Sequence, residues 1–366
     1  MSFRPLSAVV LAAGEGTRMR SERPKPLHVL CGRPMLLHVI DALSELPLDR
    51  VVVVVGHGAE RVVKTLQDLA PHELVIDTVE QHVQRGTGDA ASVALTAFPD
   101  DDLDDGDIVV LPGDAPLVQP ETLAALVRDH RLADAAATVL TAIVDDPTGY
   151  GRIVRDKDDR VRAIVEEVDA NTEERAVDEV NTSIYCFRRS LLAPALRRLS
   201  PENAQGEYYL SDVIGVLHDA GYPVVSVVAT DAGETAGVND RRQLATAEAA
   251  LRARTNERWM RLGVTMLDPN RTYIDADVTI EPDVTLFPGT MLHGNTFIGS
   301  GARIGPDVRL TDCVVGAGTT IEQTVGQDAE IGRDAIVGPF AVLRPGSHVS
   351  DGAKTGAFYT ADGADD

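Results

Sequence analysis

The chain has 366 residues, 44% hydrophobic and 25% charged, which suits two or three folded domains and excludes a disordered segment. Its 57 acidic against 34 basic side chains leave a formal net charge of −23, which repels a phosphodiester backbone and argues against nucleic acid as a partner. All but four of the basic residues are arginine, the lysines being Lys25, Lys64, Lys157 and Lys354, and the one local concentration of positive charge falls in the first 35 residues.

Over residues 1–230, short β-branched runs alternate with amphipathic stretches, the pattern of strands and helices wound into a mostly parallel sheet. The clearest strands are Ala8 to Ala13, Val51 to Gly56, Ile108 to Pro112, Ala137 to Val144 and Val224 to Ala229. Helical spacing marks Pro34 to Leu46, Ala59 to Leu69 and Pro120 to Leu132. The tract Asp100 to Asp107 reads as a solvated loop. Cys31, Cys186 and Cys313 lie far apart without CxxC or His pairing, so they read as buried thiols of a reducing compartment. No membrane span or signal segment is present in the sequence, and the expected location is the cytoplasm.

From Asp240 to Leu262 the pattern becomes one helix without Gly or Pro, with Leu244, Ala247, Leu251, Trp259 and Leu262 on a shared face and Trp259 as a packing anchor. A repeat follows. Ile274, Ile280, Leu286, Leu292, Ile298, Ile304 and Leu310 recur every sixth residue; the phase resumes at Val315 and Ile321, slips, and continues at Ile331, Val337, Leu343 and Val349. One aliphatic residue per hexapeptide, with turn residues between, predicts a left-handed parallel β-helix of roughly five coils, because no coil buries its apolar side alone. The predicted division is a sheet domain at 1–230, a connecting segment and helix at 231–264, a β-helix at 265–358 and an acidic tail at 359–366.

The chemistry concentrates in Leu11-Ala12-Ala13-Gly14-Glu15-Gly16-Thr17-Arg18-Met19, followed by Pro24-Lys25-Pro26-Leu27. A strand runs into a glycine-containing loop whose backbone N–H groups can approach phosphate without a Cβ in the way, and Arg18 and Lys25 add two cations. GxGxxG fails at Met19 and GxxxxGK[ST] has no match, which excludes a dinucleotide dehydrogenase and a P-loop NTPase. These residues resemble the signature of the sugar-1-phosphate nucleotidylyltransferases. Within them the chain looks like the bacterial bifunctional enzymes that acetylate glucosamine 1-phosphate and uridylylate N-acetylglucosamine 1-phosphate. The resemblance covers nearly the whole chain, since that family joins a Rossmann-like α/β domain through a long helix to a left-handed β-helix.

The resemblance implies UTP and N-acetylglucosamine 1-phosphate as substrates, a Mg²⁺ cofactor and a homotrimer. It makes Arg18 and Lys25 the catalytic cations and places the nucleotide on Leu11, Ala12, Ala13, Gly14, Gly16, Thr17, Lys25, Gln81, Gln84, Gly86 and Thr87. Asp114, at the carboxyl end of a strand in Gly113-Asp114-Ala115-Pro116, becomes a metal ligand together with Asn239. Gly113, Gly151, Glu166, Asn181, Glu207 and Tyr209 fall to the sugar. Two residues depart from the pattern near the chemistry: Asp89 stands where the family has His, and Pro112 precedes Gly113-Asp114. Further on, Gly356-Ala357-Phe358 begins like the family's Gly-x-Phe-Val-Glu-x-Lys stretch but continues Tyr359-Thr360-Ala361, with only Arg344 matching the acetyl-transfer half, so acetyltransferase activity is expected to be absent. The competing expectations are another sugar 1-phosphate or dTTP as substrate, and a silent trimeric scaffold.

Overall fold

The computed structural model describes residues 4–98 and 106–361, which form two compact units, residues up to 28 with 34–244, and residues 29–33 with 245 onward. In sequence the chain runs β1 (Leu6–Leu11), β2 (Val29–Leu30), β3 (Arg33–Pro34), α1 (Met35–Ser44), β4 (Arg50–Val55), α2 (Ala59–Leu69), β5 (Ile76–Glu80) and α3 (Thr87–Leu95). It continues with β6 (Asp107–Pro112), α4 (Pro120–Leu132), β7 (Ala137–Ile143), β8 (Arg152–Arg155), β9 (Val161–Val165), α5 (Thr172–Arg175), β10 (Glu179–Arg188), α6 (Arg189–Leu196), α7 (Asp212–Asp219) and β11 (Val224–Val228). The five predicted strands and three predicted helices are present, with ends displaced by up to two residues. Strands β2 and β3, whose residues 29–33 are counted with the second unit, pair with each other in a two-stranded sheet.

The main sheet has the order β11-β7-β10-β6-β1-β4-β5, with β8 and β9 hanging from β10. Pairs β1–β4, β1–β6, β4–β5 and β7–β11 are parallel, whereas β10 runs antiparallel between β6 and β7. Central strands such as Val51 to Val54 and Ile108 to Leu111 are fully buried, because helices cover both faces of the sheet. That double burial is why these runs read as continuous β-branched stretches rather than alternating ones.

Asp107 corrects the reading of residues 100–107 as a solvated loop; residues 100–105 lie outside the described residues. Asp107 opens β6 and is 1% exposed, bonded by Arg131 Nε at 2.7 Å and facing His130 Nε2 at 3.5 Å and Arg4 Nε at 3.4 Å. Burial alone pushes its carboxyl up, but the donors His130 and Arg131 outweigh it and hold it below the usual carboxylate range.

The helix α8 (Arg241–Arg261) follows the sheet domain. Trp259 joins the core of the second unit as expected, and Ala247 is buried, but Leu244 and Leu251 are only half-buried and Leu262 is exposed. The buried place goes to a polar residue: Asn256 donates to Pro269 O at 2.8 Å and Thr272 O at 3.0 Å, tying the helix to the chain that starts the repeat.

Residues 265–361 form three parallel sheets of five, six and five short strands, the faces of a left-handed parallel β-helix. All thirteen aliphatic positions of the repeat are buried, each contributing about 1.5–3 kcal/mol relative to exposure. The slip in phase has a physical cause. Gly326 pairs with Leu310 on one coil and Leu343 on the next, so it takes the inward position, and a Cβ there would stand 2.9 Å from Leu310 Cδ2. Thr360 and Ala361 correct the reading of an acidic tail from 359: they pair with Val342 and Leu343, and Ala361 is buried, a position that an aliphatic count passes over. Residues 362–366 lie outside the described residues.

The acidity has a structural use in this unit. Asp283, Asp307, Asp312, Asp328 and Asp334 take positive φ at the corners, a conformation that Asp tolerates better than most side chains. Carboxylates also accept backbone N–H groups across adjacent coils, as Asp312 does from Asn295, Glu281 from Ser300 and Asp351 from Arg333.

Candidate active site

The carboxyl ends of β1, β4, β5, β6 and β7 define one edge of the sheet, where ligands of open α/β sheets bind. At the end of β1, Ala12 N–H donates to Val54 O at 2.9 Å and Gly113 N–H to Leu11 O at 2.9 Å, so the loop starts clamped between its neighbours. Ala12 and Ala13 are buried against two glycines that leave no room for a side chain: a Cβ on Gly113 would lie 3.1 Å from Ala12 Cβ, and one on Gly56 2.5 Å from Ala13 O. Beyond them the loop opens. The N–H groups of Gly14, Glu15 and Gly16 have no partner among the described residues, and nothing lies within 4 Å of a Cβ built on Gly14. Such a run of free amides is an anion cradle.

Gly16 has φ 65° and then leads into the single turn Thr17–Met19. The turn exposes Thr17 and Arg18 and buries Met19 beneath them. Lys25 comes from the next short turn, in which Pro26 and Leu27 are buried and hold it. Its Nζ contacts Asp114 Oδ2 and donates to Asn239 Oδ1 at 2.8 Å, while Arg18 donates to the same Asn239 oxygen at 2.9 Å. Val238 N–H in turn bonds Asp114 O at 2.8 Å, which fixes the segment after β6 to the one that leads into α8. Four residues separated by up to 221 positions thus meet at one point. Asp114 and Asn239 aim their oxygens at one ammonium, so this donor set fits a hard cation. Among the described residues no group of three or more His, Cys, Asp or Glu converges, so a metal would take the rest of its ligands from substrate and water.

At the end of β5, Gln81 is 4% exposed and its Nε2 donates to Asp89 Oδ2 at 2.8 Å and Gly86 O at 3.3 Å. Gln84 lies against the glycine loop, 3.5 Å from Ala13 O. Gly86, at φ 106°, precedes α3 and has no room for a Cβ, which would fall 2.6 Å from Tyr208 O. Thr87 Oγ1 accepts Leu210 N–H at 2.9 Å, and Glu207 packs on Gly86.

A second cluster gathers Gly151, Glu166 and Asn181. Asn181 N–H bonds Gly151 O at 2.8 Å, and a Cβ on Gly151 would sit 3.2 Å from Glu166 Oε2. Glu166 accepts Ser211 Oγ at 2.8 Å; burial and the nearby Asp169 raise its carboxyl above the ordinary range despite that bond. The side chain of Asn181 is partly committed within its strand, donating to Tyr185 Oη at 2.8 Å and accepting Ser183 N–H at 3.0 Å across a bulge. Tyr209 is buried with its hydroxyl turned to Gln205. The stretches that resemble the family's sugar side run through Arg152, Tyr185, Ser211 and Asp212 without giving them a role; in the structure Arg152 is buried and pairs with Glu167 at 2.6 Å.

Residues 8–219 match the model of the MobA-like NTP transferase domain. A bifunctional protein GlmU of Desulfitobacterium hafniense is 46% identical over 352 residues, covering 96% of this chain and 75% of that protein. The chain belongs to the GlmU family. Another bifunctional protein GlmU, from Streptomyces coelicolor, is 46% identical over 361 residues, covering 98% and 74% of the two chains. The crystal structure of HddC from Yersinia pseudotuberculosis superposes with a TM-score of 0.50 at 18% identity, covering 67% of this chain and 99% of that one, and speaks to the fold alone. As a GlmU-family member the chain is a uridylyltransferase, a sugar-1-phosphate nucleotidylyltransferase acting on nucleotide and sugar phosphate, in a family that works with a divalent metal. No helix among the described residues is long and apolar enough to cross a membrane.

Proposed function

We propose that the chain forms UDP-N-acetylglucosamine and pyrophosphate from UTP and N-acetylglucosamine 1-phosphate, with Mg²⁺ on Asp114 and Asn239. What carries this reading is the meeting of Arg18, Lys25, Asp114 and Asn239 beside the unpartnered amides of Gly14 to Gly16. The sugar phosphate is an anion at neutral pH and needs no general base; the barrier lies in bringing two anions together. Lys25 and Arg18 lower it by positive charge, and the glycine loop positions the triphosphate through backbone N–H groups. Mg²⁺ supplies further neutralisation of the phosphate oxygens when bound. Leu11, Ala12, Ala13 and Thr17 shape the loop, and Gln81, Gln84, Gly86 and Thr87 take the uracil side. Gly113, Gly151, Glu166, Asn181, Glu207 and Tyr209 take the sugar.

The decisive experiment supplies purified chain with Mg²⁺, UTP and N-acetylglucosamine 1-phosphate and follows pyrophosphate and the nucleotide sugar, beside a panel of other nucleotides and sugar phosphates. Faster turnover of a different pair overturns the substrate assignment, and no turnover of any pair overturns the enzyme reading.

Where the family's stretch carries a lysine after Phe358, this chain has Tyr359-Thr360-Ala361-Asp362. That difference argues against acetyl transfer, which acetylation of glucosamine 1-phosphate by the purified chain would refute. Met291, Val325 and Val342 are exposed along one and the same sheet of the prism, an apolar row that supports a homotrimer; a monomer at micromolar concentration in sedimentation overturns it. The three free thiols support a cytoplasmic location, which fractionation of cells checks.

A further inference from the structure

Gln81 sits at the carboxyl end of the sheet with both hydrogens of its amide spent inside the protein. Its Nε2 faces a carboxylate oxygen, Asp89 Oδ2, at 2.8 Å and a carbonyl oxygen, Gly86 O, at 3.3 Å. An amide flipped the other way would set its own oxygen against two acceptors, so the chemistry of the partners allows only one orientation. The oxygen Oε1 is left without a hydrogen-bond partner among the described residues, although the side chain as a whole is almost fully buried. Asp89 lies in the first turn of α3, on a backbone fixed by Ala90 N–H to Gly86 O and Gly88 N–H to Tyr208 O. The carboxylate is therefore held where it meets Gln81.

We propose that Asp89 is a specificity-determining residue that acts through Gln81: it locks the amide so that only an acceptor faces the nucleobase. This rests on the uridylyl-transfer reading above. A uracil ring offers N3–H as a donor flanked by two carbonyl oxygens, whereas cytosine has a lone pair at N3. A locked acceptor opposite N3 pairs with the first and repels the second, and a buried polar group left facing its like is a strong basis for rejection. Gln81 without the lock can turn its N–H₂ outward and accommodate either ring. Asp89 touches neither phosphate nor sugar in this arrangement, so its loss acts on binding of the base rather than on the chemical step.

The test measures kcat and KM with UTP and with CTP for the wild-type chain, Asp89→Asn and Asp89→Glu, with thermal melts alongside. Asp89→Asn is isosteric but offers Gln81 either a donor or an acceptor. Asp89→Glu keeps the charge on the first turn of α3 while moving the carboxylate away from Gln81. Both are expected to raise KM for UTP about tenfold and to lower the UTP-to-CTP preference by about the same factor, with kcat for UTP nearly unchanged. If the carboxylate served only to complement the helix terminus, Asp89→Glu would keep the wild-type preference; that result, or an unchanged preference in a folded Asp89→Asn chain, overturns the proposal. A wild-type chain that turns over CTP as well as UTP overturns it too. Failure of the wild-type chain with every nucleotide strikes the reading beneath instead, which separates the two failures.

Discussion

Gly16→Ala is the sharpest perturbation of the catalytic cations, because it touches Lys25 without altering any charge. A methyl group at this position would stand 2.6 Å from Lys25 Cβ and 3.2 Å from its Cγ, so the lysine must retreat by roughly 1 Å to reach ordinary carbon–carbon contact. The residue is also held at φ 65°, where a side chain costs about 1–2 kcal/mol. Lys25 reaches Asp114 and Asn239 together, and a displacement of about 1 Å at such a group costs about a hundredfold in rate, or about 2.7 kcal/mol of barrier. Continuous pyrophosphate release should therefore show kcat down about a hundredfold, and calorimetry a melting point lower by a few degrees. Gly14→Ala is the comparison. Nothing lies near a Cβ there, so its melting point should be unchanged while KM for UTP rises, the methyl intruding where phosphate approaches. A Gly16→Ala chain whose kcat stays within about threefold of wild type would refute the coupling of this glycine to Lys25.

Removing the cation itself, Lys25→Ala, should lower kcat by about 10²–10³ with an unchanged circular dichroism spectrum; Asp114→Asn should do the same and also abolish divalent-metal binding in titration calorimetry. Asp212 is raised from 3.8 to about 6 by burial and by the carboxylates of Glu166 and Asp169. Its contribution to stability is therefore full below its unfolded range and lost as pH rises through about 6. Asp212→Asn should match wild type in denaturant titrations near pH 3.5 and exceed it by about 1–2 kcal/mol near pH 7.5 after allowance for partial exposure; equal stability at both pH values would contradict this. Gly326→Leu, which restores the aliphatic repeat on paper, should destabilise the prism by about 1–3 kcal/mol because Leu310 already fills the space; a raised melting point would show that the space is free.

The sheet and the prism were legible because burial leaves a local mark in each: an unbroken β-branched run at Val51 to Val55, and one aliphatic residue in six from Ile274 to Leu310. What escaped was set by partners distant in sequence. Asp107 sits at the edge of an acidic tract, and only Arg131, His130 and Arg4 show that it is buried. Gly326 and Ala361 occupy inward positions with side chains too small to register as apolar. Of the site, Arg18, Lys25, Asp114 and Asn239 were placed together by resemblance and are brought together by the fold. That Asn181 spends part of its amide on Tyr185, and Gln81 both its amide hydrogens on Asp89 and Gly86, depended on side-chain directions that no spacing rule conveys.

The reversed direction of β10 bears on how a ligand would be felt through the sheet. Asn181 belongs to the opening residues of β10, whereas Asp114 follows the last residue of β6, and the two strands share the ladder from Tyr185↔Val110 to Arg188↔Asp107. A molecule bridging the two ends would act as a clasp at the open mouth of that ladder, with the Arg188–Asp107 pairing as its hinge. Occupancy would then slow amide exchange most at the mouth and least at the hinge, a gradient along this pair of strands.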